Sequence, residues 1–83
     1  MQIKIYTKTV CPYCVAAKNW LRTKGYAYEE VTLDDDAERQ KFYEAVGSGV
    51  KTVPQIFVDG ERIGGYTDLI KSRLAAQDFT ADF

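Results

Sequence analysis

The sequence predicts an α/β fold in which a mixed four-stranded sheet is flanked by three helices, in the order β-α-β-α-β-β-α. Strand-like and helical segments alternate through the first half of the chain. An Asp-Gly pair then joins two strand-like runs in the second half, which indicates a hairpin. With 83 residues, of which 46% are hydrophobic and 28% charged, the chain has the size and composition of a single soluble domain over residues 1–83.

The first predicted strand and helix are joined by a short loop. Polar and apolar residues alternate over Gln2–Thr7, as expected for a strand with one buried face. Pro12–Lys24 is predicted as a helix that ends at Gly25, because proline suits the first helical turn and glycine the position after the last. One apolar line runs along this helix, formed by Cys14, Ala17 and Leu21.

The second strand and helix are separated by an acidic run. Tyr28–Leu33 is the predicted strand, and Ala37–Val46 is the predicted helix. The three aspartates at 34–36 favour a capped helix start with solvated charge over a metal site. Phe42 and Val46 are four residues apart, so both are predicted to face the core.

The last three elements are a hairpin and a helix. Asp59-Gly60 between Gln55–Val58 and Glu61–Ile63 predicts a turn of the primed type and two antiparallel strands. A third helix is predicted over Thr67–Ala76. Its core stripe consists of Leu69, Ile70 and Leu74. Two aromatic residues in the tail either pack back on the domain or belong to a frayed end, namely Phe79 and Phe83.

The only two cysteines form a C-P-Y-C motif at the junction of the first strand and helix. Pro12 in the first turn places Cys11 at or near the N-cap, where free N–H groups and the helix dipole favour a thiolate. Cys14 lies one turn further on the same side, within reach of a disulfide. Cys11 is therefore the predicted nucleophile and Cys14 the predicted resolving thiol of a thiol–disulfide reaction.

Three structural explanations of the cysteines compete with this interpretation. A structural disulfide across so short a loop would restrain little unfolded-state entropy. A structural zinc ion needs four ligands, whereas the chain has two cysteines and no histidine. Two inert core cysteines remain an alternative, because free cysteines are often buried.

Composition excludes several classes of function. The formal net charge of -1 argues neither for nor against an acidic partner, but no segment resembles a basic nucleic-acid-binding patch, so nucleic-acid binding is not expected. The longest apolar stretches are only a few residues, so no membrane-spanning segment is expected. The N-terminus has no basic region followed by an apolar core, and the cysteines form one catalytic-type pair. We therefore expect the protein to act in the cytoplasm.

Four separated motifs resemble those of a known family. They are C-P-Y-C at 11–14, T-V-P at 52–54, Q-I-F-V-D at 55–59 and G-G-Y-T-D at 64–68. Together they make the chain similar to dithiol glutaredoxins, especially the small bacterial and phage ones, from Ile3 to about Leu74. The resemblance implies a thioredoxin fold, a cis Val53-Pro54 peptide bond, and glutathione as the reductant. Without the resemblance, Pro54 would be explained simply as a proline at the first position of a strand, where proline is tolerated.

The resemblance also implies a glutathione site. Thr67 and Asp68 match positions that hold the γ-glutamyl group, although Asp68 alone could equally be a first-turn acidic residue. Lys8 and Gln40 match contacts to the glycine carboxylate. Alternatively, Lys8 is a solvated strand-end residue, and Arg39 or Lys41 takes the role of Gln40, because the loop before Thr52 is one residue longer than in many relatives. The implied glutathione-binding residues are Lys8, Tyr13, Gln40, Thr52, Val53, Pro54, Gly65, Tyr66, Thr67 and Asp68.

Two reactions follow from the resemblance. Cys11 alone would reduce glutathione mixed disulfides, and Cys11 with Cys14 would reduce protein disulfides, including that of ribonucleotide reductase. Tyr66 stands where some relatives have a third cysteine. A monomer without a metal cofactor is expected. The alternatives are a redoxin reduced by thioredoxin reductase, an iron–sulfur carrier that ligates a cluster through Cys11 and bound glutathione, and a non-catalytic binding module.

Overall fold

The computed structural model describes residues 1–47 and 49–76, which form a mixed four-stranded sheet with helices on both faces. The strands lie in the order β2-β1-β3-β4; β1 is parallel to β2 and antiparallel to β3, and β3 is antiparallel to β4. The predicted fold class is therefore confirmed. The strands are β1 (Ile3–Thr7), β2 (Glu29–Thr32), β3 (Gln55–Val58) and β4 (Glu61–Gly64), and the helices are α1 (Pro12–Thr23), α2 (Asp36–Val46), α3 (Tyr66–Ile70) and α4 (Arg73–Ala76).

The core lies between one face of the sheet and the helices α1, α3 and α4. Side chains alternate along each strand, so the residues of β1 and β3 that point to this face bury their apolar surface against the helices. Burying one such side chain contributes about 1.5–3 kcal/mol. The buried cluster consists of Ile3, Ile5, Ala17, Leu21, Ile56, Val58, Leu69 and Leu74. The predicted apolar line of α1 is thus confirmed, as are Leu69 and Leu74, whereas Ile70 is only half-buried.

Helix α2 covers the opposite face through aromatic packing. Phe42 stacks on Tyr6 with their ring centroids 4.4 Å apart, and the rings of Phe57 and Tyr6 make a T-shaped contact with their centroids 5.5 Å apart. Phe42 packs on the sheet as predicted, yet Phe42 and Val46 are both only half-buried, and no residue of α2 is buried. This helix therefore depends on Phe42 and on its capping contacts for much of its attachment.

The third predicted helix, Thr67–Ala76, is not continuous. Helix α3 ends at Ile70 and α4 begins at Arg73. The Ser72 hydroxyl donates a hydrogen bond to the Leu69 carbonyl at 2.6 Å and accepts one from the Leu74 N–H at 3.2 Å. A serine side chain that bonds to nearby backbone in this way replaces the helical pattern, which explains the interruption.

Local turn chemistry agrees with the other predictions. Gly25 has a φ of 83°, and its N–H bonds to the Arg22 carbonyl while the next N–H bonds to the Leu21 carbonyl, which is a Schellman ending. Asp59 and Gly60 both have positive φ, as the primed hairpin turn requires.

The prediction for Phe79 and Phe83 falls outside the described residues. Within the described residues, no helix is long and apolar enough to cross a membrane.

Candidate active site

Cys11 and Cys14 lie at the start of α1 and form a disulfide, with their Cα atoms 5.2 Å apart. Cys11 is the N-cap, and Pro12 occupies the first helical turn, as predicted. The Cys14 N–H points at the Cys11 sulfur over 3.2 Å. This geometry directs a backbone donor and the positive end of the helix at one sulfur, which favours its thiolate once the disulfide is reduced.

The two cysteines differ in accessibility. Cys11 keeps 8% of its surface exposed, and Cys14 only 1%. The residues around them are open to solvent, since Val10 is 83% exposed and Tyr13 65%. Attack on a substrate disulfide requires access to the sulfur, so Cys11 is the better placed nucleophile and Cys14 can reach only a bond that already contains Cys11.

A groove lies beside the disulfide. The Val53-Pro54 peptide bond is cis, as the resemblance implied, and the Val53 carbonyl oxygen lies 3.6 Å from the Cys11 sulfur. The groove has a volume of about 320 Å³. Eight of the predicted glutathione-binding residues line it, namely Tyr13, Thr52, Val53, Pro54, Gly65, Tyr66, Thr67 and Asp68.

Asp68 closes one side of this groove. As the third residue of α3, it accepts a hydrogen bond from the Gly65 N–H at 3.1 Å. Its carboxylate also lies directly over Gly64, where a Cβ atom would overlap it. The carboxylate therefore has a structural role at the helix start, and its position depends on the absence of a side chain at residue 64.

The two remaining predicted contacts do not line the groove. Lys8 is exposed in the loop before Cys11. Gln40 borders a separate cavity of about 370 Å³ together with Lys51, which directly precedes Thr52. Arg39, one of the alternatives to Gln40, is engaged elsewhere, since its guanidinium donates to the Leu33 carbonyl at 2.8 Å and pairs with Asp36.

Sequence reasoning missed several polar contacts that support the site. The capped start predicted for α2 is confirmed, with Asp35 as the N-cap, but Asp34 of the same run instead accepts hydrogen bonds from Thr9. The buried Gln55 side chain donates to the Thr52 carbonyl at 3.0 Å and accepts from Arg62 at 3.1 Å. The Thr9–Asp34 pair joins residues 25 apart, and the Gln55–Arg62 pair joins neighbouring strands. No local sequence pattern therefore predicts either contact.

A further polar cluster connects β1, β2 and α1. The buried Thr7 hydroxyl donates to the Glu30 carboxylate at 2.6 Å, and Lys18 forms an ion pair with the same carboxylate at 3.0 Å. The hydrogen bond from Thr7 is the main cause that lowers the pKa of Glu30 below its ordinary value of 4.5. Burial opposes this effect, and Lys18 adds to it. Glu30 thus anchors α1 to the edge of the sheet.

This cluster predicts how stability depends on pH. A carboxyl group whose folded pKa is lowered stabilises the protein above its ordinary pKa, and the contribution is lost as pH falls through the folded value. Asp34 acts in the same direction, because hydrogen bonds from Thr9 lower its pKa below 3.8. Stability should therefore fall as the pH drops below about 4.5. In urea unfolding, Glu30→Gln should be less stable by about 1 kcal/mol at pH 7 and lose less on acidification.

Glu44→Gln, at an exposed glutamate of α2, is the matched control and should follow the wild-type pH profile. An acid dependence of Glu30→Gln that equals that of the wild type would show that Glu30 does not contribute.

A further cavity, of about 450 Å³, lies at the opposite end of the sheet from the cysteines. It is bordered by the start of β1, the start of β2 and the hairpin turn, including Met1, Glu29 and Gly60. None of the predicted site residues lines it, so this cavity is separate from the groove beside the cysteines.

Comparisons with known proteins agree with this geometry. A family model described as Glutaredoxin matches residues 3–63. The chain is 46% identical over 68 residues to Glutaredoxin 3 of Escherichia coli K12, covering 81% of this chain and 80% of that one. It is similar to the crystal structure of Glutaredoxin 1 from Francisella tularensis complexed with cacodylate, with a TM-score of 0.80 and 41% identity over 99% of this chain and 98% of that one. A buckwheat glutaredoxin–glutathione complex has the same fold, with a TM-score of 0.76 and 23% identity over 94% of this chain and 73% of that one.

Proposed function

Because the chain belongs to the glutaredoxin family, whose members are thiol–disulfide oxidoreductases that use glutathione as reductant, we propose that glutathione binds in the groove beside Cys11 and reduces the protein there. One observation carries this proposal: the groove next to Cys11, the more exposed of the two cysteines, is lined by eight of the residues that the family motifs assign to glutathione.

Reduction of a glutathione mixed disulfide needs only Cys11. Its thiolate attacks the glutathione sulfur, a new disulfide forms between Cys11 and glutathione, and the target leaves as a thiolate that takes up a proton. A second glutathione thiolate then attacks the bound glutathione sulfur, which yields oxidised glutathione and regenerates the Cys11 thiolate. A stabilised Cys11 thiolate helps in both steps. In the first step a larger fraction of Cys11 is ionised and able to attack, and in the second step Cys11 is the better leaving group.

Reduction of a protein disulfide uses both cysteines. Cys11 attacks one sulfur of the target and forms a mixed disulfide, while the other target sulfur leaves as a thiolate. Cys14 then attacks Cys11, the target is released fully reduced, and the Cys11–Cys14 disulfide forms. The Cα separation of 5.2 Å and the position of Cys14 one turn along α1 suit this intramolecular step. Two glutathione molecules return the pair to the reduced state.

Recognition of glutathione combines backbone and charge. The N–H and C=O groups of Val53 would bind the extended tripeptide as an added strand. The N–H groups of Thr67 and Asp68 would hold the γ-glutamyl carboxylate, and the Asp68 carboxylate would pair with the α-amino group. For the glycine carboxylate we propose Lys8 and Gln40, with Lys51 beside Gln40 as a further cation. Arg39 is a poorer candidate, since Leu33 and Asp36 occupy its guanidinium.

The proposal extends to the partners and place of action. Protein disulfides and glutathionylated proteins are the expected targets, ribonucleotide reductase is one candidate by family resemblance, and the cytoplasm is the proposed compartment. The exposed Val10 and Tyr13 beside Cys11 leave room for a macromolecular substrate.

A coupled assay tests the proposal. It contains a mixed disulfide of glutathione and a small thiol, with glutathione, glutathione reductase and NADPH. Asp68→Asn keeps an oxygen for the Gly65 N–H but removes the charge. We expect the KM for glutathione substrates to rise about tenfold with little change in kcat, because one charge-assisted contact is lost.

Asp59→Asn is the matched control, since Asp59 accepts a hydrogen bond from the Gln2 N–H at 2.8 Å at the far end of the sheet. It should keep wild-type kinetics. Wild-type protein that turned over only with thioredoxin reductase and NADPH would contradict the proposal, and equal KM values for Asp68→Asn and wild type would remove Asp68 from the site.

A further inference from the structure

The loop between β1 and the active-site cysteine is bound at its centre by one side chain. The Thr9 N–H donates to one carboxylate oxygen of Asp34 at 2.6 Å, and the Thr9 hydroxyl donates to the other at 2.5 Å. Thr9 and Asp34 are both exposed, so burial of apolar surface does not account for the contact. Instead, two charge-assisted hydrogen bonds fix the middle residue of a three-residue connection.

Asp34 is itself held from the α2 side. The Leu33 N–H continues the parallel ladder by donating to the Thr7 carbonyl at 2.7 Å. Arg39 donates to the carbonyls of Leu33 at 2.8 Å and Asp34 at 3.3 Å. The backbone of the Leu33–Asp34 segment is therefore hydrogen-bonded to both β1 and α2. This restrains the Asp34 carboxylate that accepts the hydrogen bonds from Thr9.

The tethered loop carries two groups of the proposed reaction. Lys8 precedes Thr9, and Cys11 follows it by two residues. The neighbours Lys8 and Val10 are both exposed, so the loop gains little restraint from burial of those side chains. A shift of this loop would move Cys11 relative to the N–H groups of α1 and relative to the groove.

We propose that Asp34 is a positioning residue that holds Thr9, so that Cys11 keeps its N-cap geometry and the loop that carries Lys8 keeps its position. The assignment rests on the proposed function only in making Cys11 the attacking group. The hydrogen bonds that the Asp34 carboxylate accepts come from Thr9, so Asp34 acts on Cys11 through the loop and not by contact with the sulfur.

The test compares two adjacent aspartates. Asp34→Ala removes both hydrogen bonds to Thr9, whereas Asp35→Ala removes the cap of α2, in which Asp35 accepts from the Glu38 N–H at 2.9 Å. Asp34→Ala should lower kcat/KM for the glutathione mixed disulfide about tenfold, because small displacements of a reacting group are costly. It should also raise the midpoint pH at which iodoacetamide alkylates reduced Cys11. Asp35→Ala should leave both readouts at wild-type values while lowering the melting temperature.

A third variant separates position from charge. Asp34→Asn keeps an oxygen that can accept from the Thr9 N–H, so its kcat/KM should return to within about twofold of the wild type. Wild-type kinetics and alkylation in Asp34→Ala would overturn the proposal, as would equal losses in Asp34→Ala and Asp35→Ala. The alkylation readout needs no turnover, so it tests Asp34 even if glutathione proved not to be the reductant.

Discussion

Cys11→Ser is expected to abolish the reduction of glutathione mixed disulfides and of protein disulfides. The hydroxyl of serine is not ionised near neutral pH, so neither the donor at Cys14 N nor the start of α1 can supply an equivalent nucleophile. We expect activity in the coupled assay to fall at least about a thousandfold, as is typical when a catalytic nucleophile is removed. The fold should persist, because the exchange replaces one small side chain at a helix N-cap, where serine is favoured.

Cys14→Ser is the matched variant, since it changes the same atom type one turn away. It should keep much of the activity on glutathione mixed disulfides, which needs a single thiolate, and lose the reduction of protein disulfides. Mass spectrometry should then trap a mixed disulfide between Cys11 and the target. If Cys14→Ser alone abolished both reactions, the assigned roles of the two cysteines would be wrong.

Gly64→Ala is expected to damage both stability and glutathione binding. Gly64 is buried and has a φ of 127°, a conformation that residues with a side chain rarely adopt. The added methyl group would also overlap the Asp68 carboxylate. We expect a loss of about 1–3 kcal/mol in the free energy of unfolding from backbone strain, and a rise of about tenfold in the KM for glutathione as Asp68 is displaced.

Gly60→Ala separates these two effects. Gly60 also has a positive φ, of 83°, but a Cβ atom there would meet nothing within 4 Å. It lies in the hairpin turn away from the cysteines, so this variant should lose stability and keep the wild-type KM. A Gly64→Ala protein with an unchanged KM would show that the position of Asp68 does not control glutathione binding. Urea unfolding and the coupled assay provide the two readouts.

The active site joins distant parts of the chain, and this arrangement explains why the predicted effects differ. The cysteines depend on the start of α1, whereas the groove depends on the Thr52–Pro54 segment and on Asp68 at the start of α3. The Thr52–Pro54 segment is supported from the sheet, because Gln55 donates to the Thr52 carbonyl and Arg62 donates to Gln55. Damage to a supporting contact should therefore affect binding and position, while damage to Cys11 removes the chemistry itself.

Local sequence patterns predicted the elements well but not their interruptions. The alternation in β1, the glycine that ends α1 and the Asp-Gly turn are each decided within a few residues, and all three were confirmed. The break at Ser72 was missed, because a serine inside an apolar helical pattern gives no sign of whether its hydroxyl will bond to the backbone.

The sequence by itself determined the chemistry of this protein, because a cysteine before a Pro-initiated helix acquires its thiolate-favouring environment within one helical turn. The family motifs also identified the residues that line the groove. Only the tertiary structure decided that Arg39 is occupied by Leu33 and Asp36, and that Asp34 holds Thr9. Such contacts depend on the register of β1 against β2 and on the docking of α2, which are properties of the whole packed domain.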